Sequence, residues 1–141
     1  MNIDFSAIKW PAVAVAAVVS FLLGGAWYSA IFGKLWIRLH GYSDEKLADM
    51  KAKISPPRFF GGMVASYFAV AVVVAILVGS LDLKGAGAGV VLGLLLWAGP
   101  AAAIGFTGHL ASDRRNGIYL IDAAFQLVCL VTQGIILASW R

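Results

Sequence analysis

Charge is scarce in this chain: 13% of its 141 residues are Asp, Glu, Lys or Arg, about half the share of an ordinary soluble domain. With 61% hydrophobic residues and a mean hydropathy of +0.87, the solvent it is built for is lipid. Cysteine is nearly missing, since Cys129 stands alone; this excludes an intrachain disulfide and any CxxC or Cys/His zinc spacing. Basic residues outnumber acidic ones, for a net charge of +4, yet no basic stripe interleaves with aromatics. Nucleic acid is therefore not an expected partner. Between residues 1 and 9, Asp4 offsets Lys9, so the cationic leader of a cleavable signal peptide is lacking and the first apolar run reads as a retained span. Catalytic signatures are missing too: there is no GxSxG, HExxH or P-loop, and no lysine lies inside an apolar run to carry a Schiff base. The expectation is a non-enzymatic protein without a cofactor.

What the chain does have is four apolar stretches, residues 10–32, 59–81, 86–109 and 118–140, each reaching the ~20 residues a helix needs to cross the hydrocarbon. Barrel strands would alternate with a period of two, whereas Ala12 to Leu23 and Val70 to Val78 are apolar on every face. The expected fold is all-α: one domain, an up-down bundle of four transmembrane helices, because short connectors make successive spans antiparallel neighbours. Lysine and arginine set its orientation. Lys34, Arg38, Lys46, Lys51, Lys53 and Arg58 follow the first span and Arg114 and Arg115 the third, eight against three at the other end (Lys9, Lys84, Arg141). Both termini are thus expected outside and both basic loops in the cytoplasm.

A short amphipathic helix is expected in the first of these loops, capped by Ser43, opened by Asp44 and Glu45, and carrying Leu47, Met50 and Ile54 on one side. With Lys46, Lys51 and Lys53 beside them, that side suits the inner membrane surface; a solvated surface helix is the other reading. Small residues recur every four positions in the spans: Ala12, Ala16, Ser20 and Gly24, then Ala71, Ala75 and Gly79, then Gly85, Gly89 and Gly93. Such ridges let backbones approach, within one bundle or between protomers. Gly99-Pro100 removes a backbone donor mid-span and is expected to kink the third helix.

The polar residues inside the spans cluster in depth. Under the inferred orientation, Tyr28, Ser29 and His109 lie toward the cytoplasmic end of inward-running spans, and Ser66, Tyr67, Tyr119, Asp122 and Gln126 come early in outward-running ones. Burying such groups singly is costly, so their convergence suggests a hydrated pocket opening to the cytoplasm. Asp122 is the only formal charge inside any span. At 100° per residue it shares an arc of about 60° with Gln126, Cys129 and Gln133, a stripe expected to face protein. Two readings stay open for Asp122: a functional acid, or a structural residue that pairs with Arg114 or Arg115 or caps a hydrogen-bond network. His40 and His109 lack ligand spacing for a metal or haem and are expected to make interfacial hydrogen bonds, while Trp10, Trp36 and Trp140 read as belt residues.

Two blocks carry a family resemblance. Trp27-Tyr28-Ser29 with Phe32-Gly33-Lys34 and Trp36 form the first, accompanied by Gly105-Phe106. Arg115, then Leu120 to Val128, then Gly134 to Ala138 and Trp140 form the second. They resemble the first and last helices of the bacterial membrane family catalogued as domain of unknown function, DUF1761. The resemblance implies a multi-pass protein of the bacterial inner membrane and no particular activity. Two functional readings follow: binding or moving a small molecule or ion through the inner-leaflet pocket, with a homo-oligomer as the expected assembly, or serving as an accessory subunit of a larger membrane complex. Membrane lipid is the common partner of both.

Overall fold

A computed structural model describes residues 5–141, so the expectation for Asp4 lies outside the described residues. A single turn at Phe5–Ala7 leads into six helices: α1 (Trp10–Ile31), α2 (Gly33–His40), α3 (Asp44–Lys53), α4 (Pro56–Ser80), α5 (Gly85–Leu110) and α6 (Asn116–Ser139). No strand occurs among the described residues. α1, α4, α5 and α6 are each long and apolar enough to cross a membrane; the 25 residues of α4 extend roughly 37 Å against ~30 Å of hydrocarbon.

Pairing between helices sets their directions. Along α1 and α6, Ser20 meets Gln133, Gly24 meets Phe125 and Tyr28 meets Asp122, so one number rises as the other falls. α5 and α6 show the same inverse order: Gly89 lies against Gly134, Gly93 against Val131 and Gly105 against Tyr119. α4 runs with α6, since Gln133 bonds the Tyr67 carbonyl and Arg141 the Val78 carbonyl. Consecutive long helices are therefore antiparallel. They do not form an even square, however: α1, α4 and α6 pack on one another, while α5 leans chiefly on α6. The last helix becomes the centre of the molecule, with 44% of its apolar window buried against 17–22% for the other three.

Close approach explains that arrangement. A Cβ on Gly89 would collide with the carbonyl of Gly134, and one on Gly93 would lie 2.6 Å from the Cα of Val131. α5 and α6 thus meet backbone to backbone, gaining dispersion contacts where lipid offers no hydrophobic drive. Gly85 serves otherwise: at φ +82° it forms the turn into α5. The ridge of Ala12, Ala16, Ser20 and Gly24 is buried within the chain, and Ala12, Val13 and Ala16 pack in one cluster with Ala71, Val74 and Val78 of α4.

The connection between α1 and α4 holds two short helices where the sequence suggested one. Phe32 (φ −114°, ψ 0°) interrupts α1, and Gly33 restarts a helix because a Cβ there would lie 2.7 Å from the Tyr28 carbonyl. Gly41, in the left-handed region at φ +68°, ends α2. Ser43 then caps α3, its Oγ accepting from Lys46 N at 3.1 Å. No residue of α3 is buried by the bundle.

Candidate functional site

The first turns of α6 and the last turns of α5 face each other across glycines. Gly108 has open space where a Cβ would stand, and Gly105 leaves room for the Tyr119 ring at 3.5 Å. Between the two helices lies a cavity of about 340 Å³. Its wall includes His109, Tyr119, Asp122 and Gln126, four of the eight residues expected in a pocket, together with Ser112, Arg114, Gly105 and Gly108. Tyr119 is fixed by its hydroxyl, which donates to the Ala102 carbonyl at 2.9 Å, and its ring stacks on His109 at 5.3 Å. His109 Nε2 is in turn 2.9 Å from Asn116 Oδ1.

Asp122 sits where this cavity meets the aromatic end of α1. Its Oδ1 accepts from the Tyr28 hydroxyl at 2.7 Å and from the Trp36 indole at 3.4 Å. Neither donor carries charge, and among the described residues no lysine, arginine or histidine pairs with this carboxylate within 4 Å. The ion pair with Arg114 or Arg115 is therefore not formed. Arg115 lies at the N-cap position of α6 instead, where its carbonyl accepts from Ile118 N at 3.0 Å.

Two further indoles hold the backbone on either side. Trp27 Nε1 donates to the Ile121 carbonyl at 3.2 Å and Trp97 Nε1 to the Ala123 carbonyl at 2.8 Å. Each tryptophan opens a widened, π-helical turn, Trp27–Ile31 in α1 and Trp97–Ala101 in α5. In the first, Phe32 N bonds back five residues to the Trp27 carbonyl. In the second, Pro100 supplies no N–H, and the helix absorbs the loss by widening, in place of a break. Single widened turns of this kind occur often at functional sites.

The other expected members lie apart. Ser29 and Ser66 are exposed, and their hydroxyls return to their own helices, to the Gly25 carbonyl at 2.5 Å and the Gly62 carbonyl at 2.9 Å. Tyr67 is walled off from Asp122 by Phe125, whose buried ring packs edge-on to both Tyr67 and Tyr28. Tyr28 reaches Asp122 without lining the cavity. Four helices do not share one chamber. Gln126 also departs from the expected inward stripe: it is exposed at the cavity, while Cys129 and Gln133 are buried. Gln133 joins three helices deeper in the bundle, donating to Ser20 Oγ at 2.9 Å and the Tyr67 carbonyl at 3.3 Å. Its Oε1 is buried without a hydrogen-bond partner among the described residues. His40 stacks on Tyr42 and lies tilted against the Trp36 ring, with its Nδ1 2.9 Å from the Trp36 carbonyl. No group of three or more His, Cys, Asp or Glu side chains among the described residues could hold a metal ion.

Trp36 is the largest revision, because a residue read as an interfacial belt is a donor to Asp122. Trp97 was open to detection, since an indole in the middle of an apolar run must find an acceptor. The arrangement can hold and orient a ligand through one fixed carboxylate, an amide and aromatic walls.

All these features define a helical protein with four helices compatible with a multi-pass membrane protein and a polar cavity at one end of them. The family model described as protein of unknown function (DUF1761) matches residues 11–138, and the chain belongs to that family. No curated protein and no solved structure matches the chain.

Proposed function

We propose that this is a non-enzymatic, multi-pass protein of the bacterial inner membrane that binds or moves a small molecule or ion through the cavity beside Asp122. Both termini lie outside, and the cavity opens toward the cytoplasm, on the side of the basic loops. The observation that carries this reading is Asp122 itself: a carboxylate inside an apolar helix, held at Oδ1 by two neutral donors, without a counter-ion among the described residues, on the wall of a 340 Å³ space. An acid in a structural ion pair has a protein cation beside it. This one is oriented and left open to the cavity.

Asp122→Asn tests it, since the amide retains an oxygen for Tyr28 and Trp36 while deleting the charge. Native mass spectrometry of protein kept in lipid nanodiscs should find a bound small molecule or ion in the wild type and its loss in the folded variant. An identical complement of bound species in both proteins would overturn the proposal. A stoichiometric heterologous subunit, retained with the wild type in place of any small ligand, would establish the accessory role.

A further inference from the structure

We infer that the cavity between α5 and α6 accepts a small organic ammonium compound, with its charged end on Asp122 and a hydrogen-bond acceptor at its other end near Arg114. This rests on the reading of that cavity as a ligand site. The polarity of the walls gives the ligand its direction. Asp122 Oδ1 is filled by Tyr28 and Trp36, and among the described residues no donor reaches Oδ2 and no cation pairs with it, so the carboxylate offers a fixed, negatively charged acceptor. Gln126 adds an amide to the same wall. The rings of Tyr119 and His109, stacked at 5.3 Å, supply the aromatic surface that organic cations favour over water.

Size and ligand count argue against a bare metal ion. A volume of about 340 Å³ has room for on the order of ten non-hydrogen atoms, far more than one dehydrated ion needs. A divalent ion would also seek six or more oxygens with several carboxylates, whereas Asp122 is the only carboxylate on this wall. Arg114 fixes the other end. It lines the cavity from the loop before α6, is exposed, and makes no ion pair among the described residues. Asp122 is six residues into α6, about 9 Å along the axis from its start, so the two charges line the cavity from different levels of the helix. A cation placed beside Arg114 would be repelled; a carbonyl or carboxylate there would be held by its planar donors.

The probe is 4-aminobutanamide, titrated into the full-length protein in nanodiscs and followed by tryptophan emission, with 4-hydroxybutanamide and 4-carboxybutanamide as neutral and anionic counterparts. Trp36 shares the Asp122 carboxylate and reports occupancy. The amine should bind saturably and the two counterparts should not. Asp122→Asn should weaken it at least about tenfold, the share of a charged hydrogen bond. Gly108→Leu, whose Cβ meets no atom within 4 Å and whose side chain adds bulk at the cavity wall, should weaken it as much while leaving Asp122 and its donors in place. If a neutral or anionic counterpart binds as well as the amine and Gly108→Leu abolishes it, the ammonium assignment falls and the cavity reading stands. The same holds if sodium chloride alone gives the Asp122-dependent response. Amine binding indifferent to both variants, or no response to any probe, overturns the ammonium proposal outright.

Discussion

A single carboxylate acquires its meaning from the groups around it. Asp122 could have been neutralised by an arginine a few residues away, yet the helix carries it to a pair of neutral donors from α1 and α2. The tryptophans on either side bond carbonyls of α6, and each such contact in a bilayer contributes roughly 0.6 kcal/mol, at most about 1.7. Trp97→Phe should therefore lower the melting temperature in detergent by only a few degrees and still fold, as a thermal scan would register. Gln133 behaves differently. Its Oε1 is buried without a partner among the described residues, and both groups it bonds have other partners: Ser20 donates to Ala16, and the Tyr67 carbonyl lies within α4. Gln133→Met keeps the volume and removes the unsatisfied oxygen, so the expected change in stability is within about 1 kcal/mol and toward stabilisation. A loss of several kcal/mol in reversible unfolding would mean that the oxygen has a partner in the folded protein.

At the scale of elements, the seam between α5 and α6 controls the site, because the cavity is the widening of that same seam beyond Trp97. Gly89 and Gly93 face backbone atoms that cannot rotate away. Gly93→Val should push the helices apart and destabilise by about 1–3 kcal/mol, in the manner of an overpacked core. Gly87→Ala, two residues before Gly89 with no atom within 4 Å of the new methyl, should melt like the wild type. Equal melting curves for the two variants would show that the close contact of α5 with α6 is absent in the membrane. Gly24→Leu should also be disruptive, since Tyr67 Oη and the Phe125 ring stand 3.0 and 3.2 Å from the position of its Cβ.

For the whole molecule, charge divides the two ends. Lys84 and Arg141 both pair with Asp82 at one end, and the basic connectors follow α1 and α5 at the other. With the positive loops inside, a cysteine at Lys84 should react with an impermeant maleimide added to intact cells, and one at Lys51 only after permeabilisation. The opposite pattern would invert the protein and place the cavity at the outer face.

The number of long apolar helices, their approximate limits and the α3 cap were legible along the chain, because length, hydropathy and a Ser before Asp-Glu are local properties; the short helix α2 was not. Asp122 was legible too, as the lone charge in an apolar run. The rotation of each helix about its axis was not. In lipid, a helix apolar on every face has no hydrophobic side to turn inward, so α1 takes its orientation from where the Tyr67 and Phe125 side chains fit against Gly24, and α5 from where backbones can approach, at Gly89 and Gly93. That choice left Gln126 exposed on the cavity wall, closed Tyr67 off behind Phe125 and sent Trp36 from α2 to Asp122. Depth is a one-dimensional quantity that hydropathy can supply; which groups share a cavity at that depth depends on rotation and close contact, and these arise only when the helices pack.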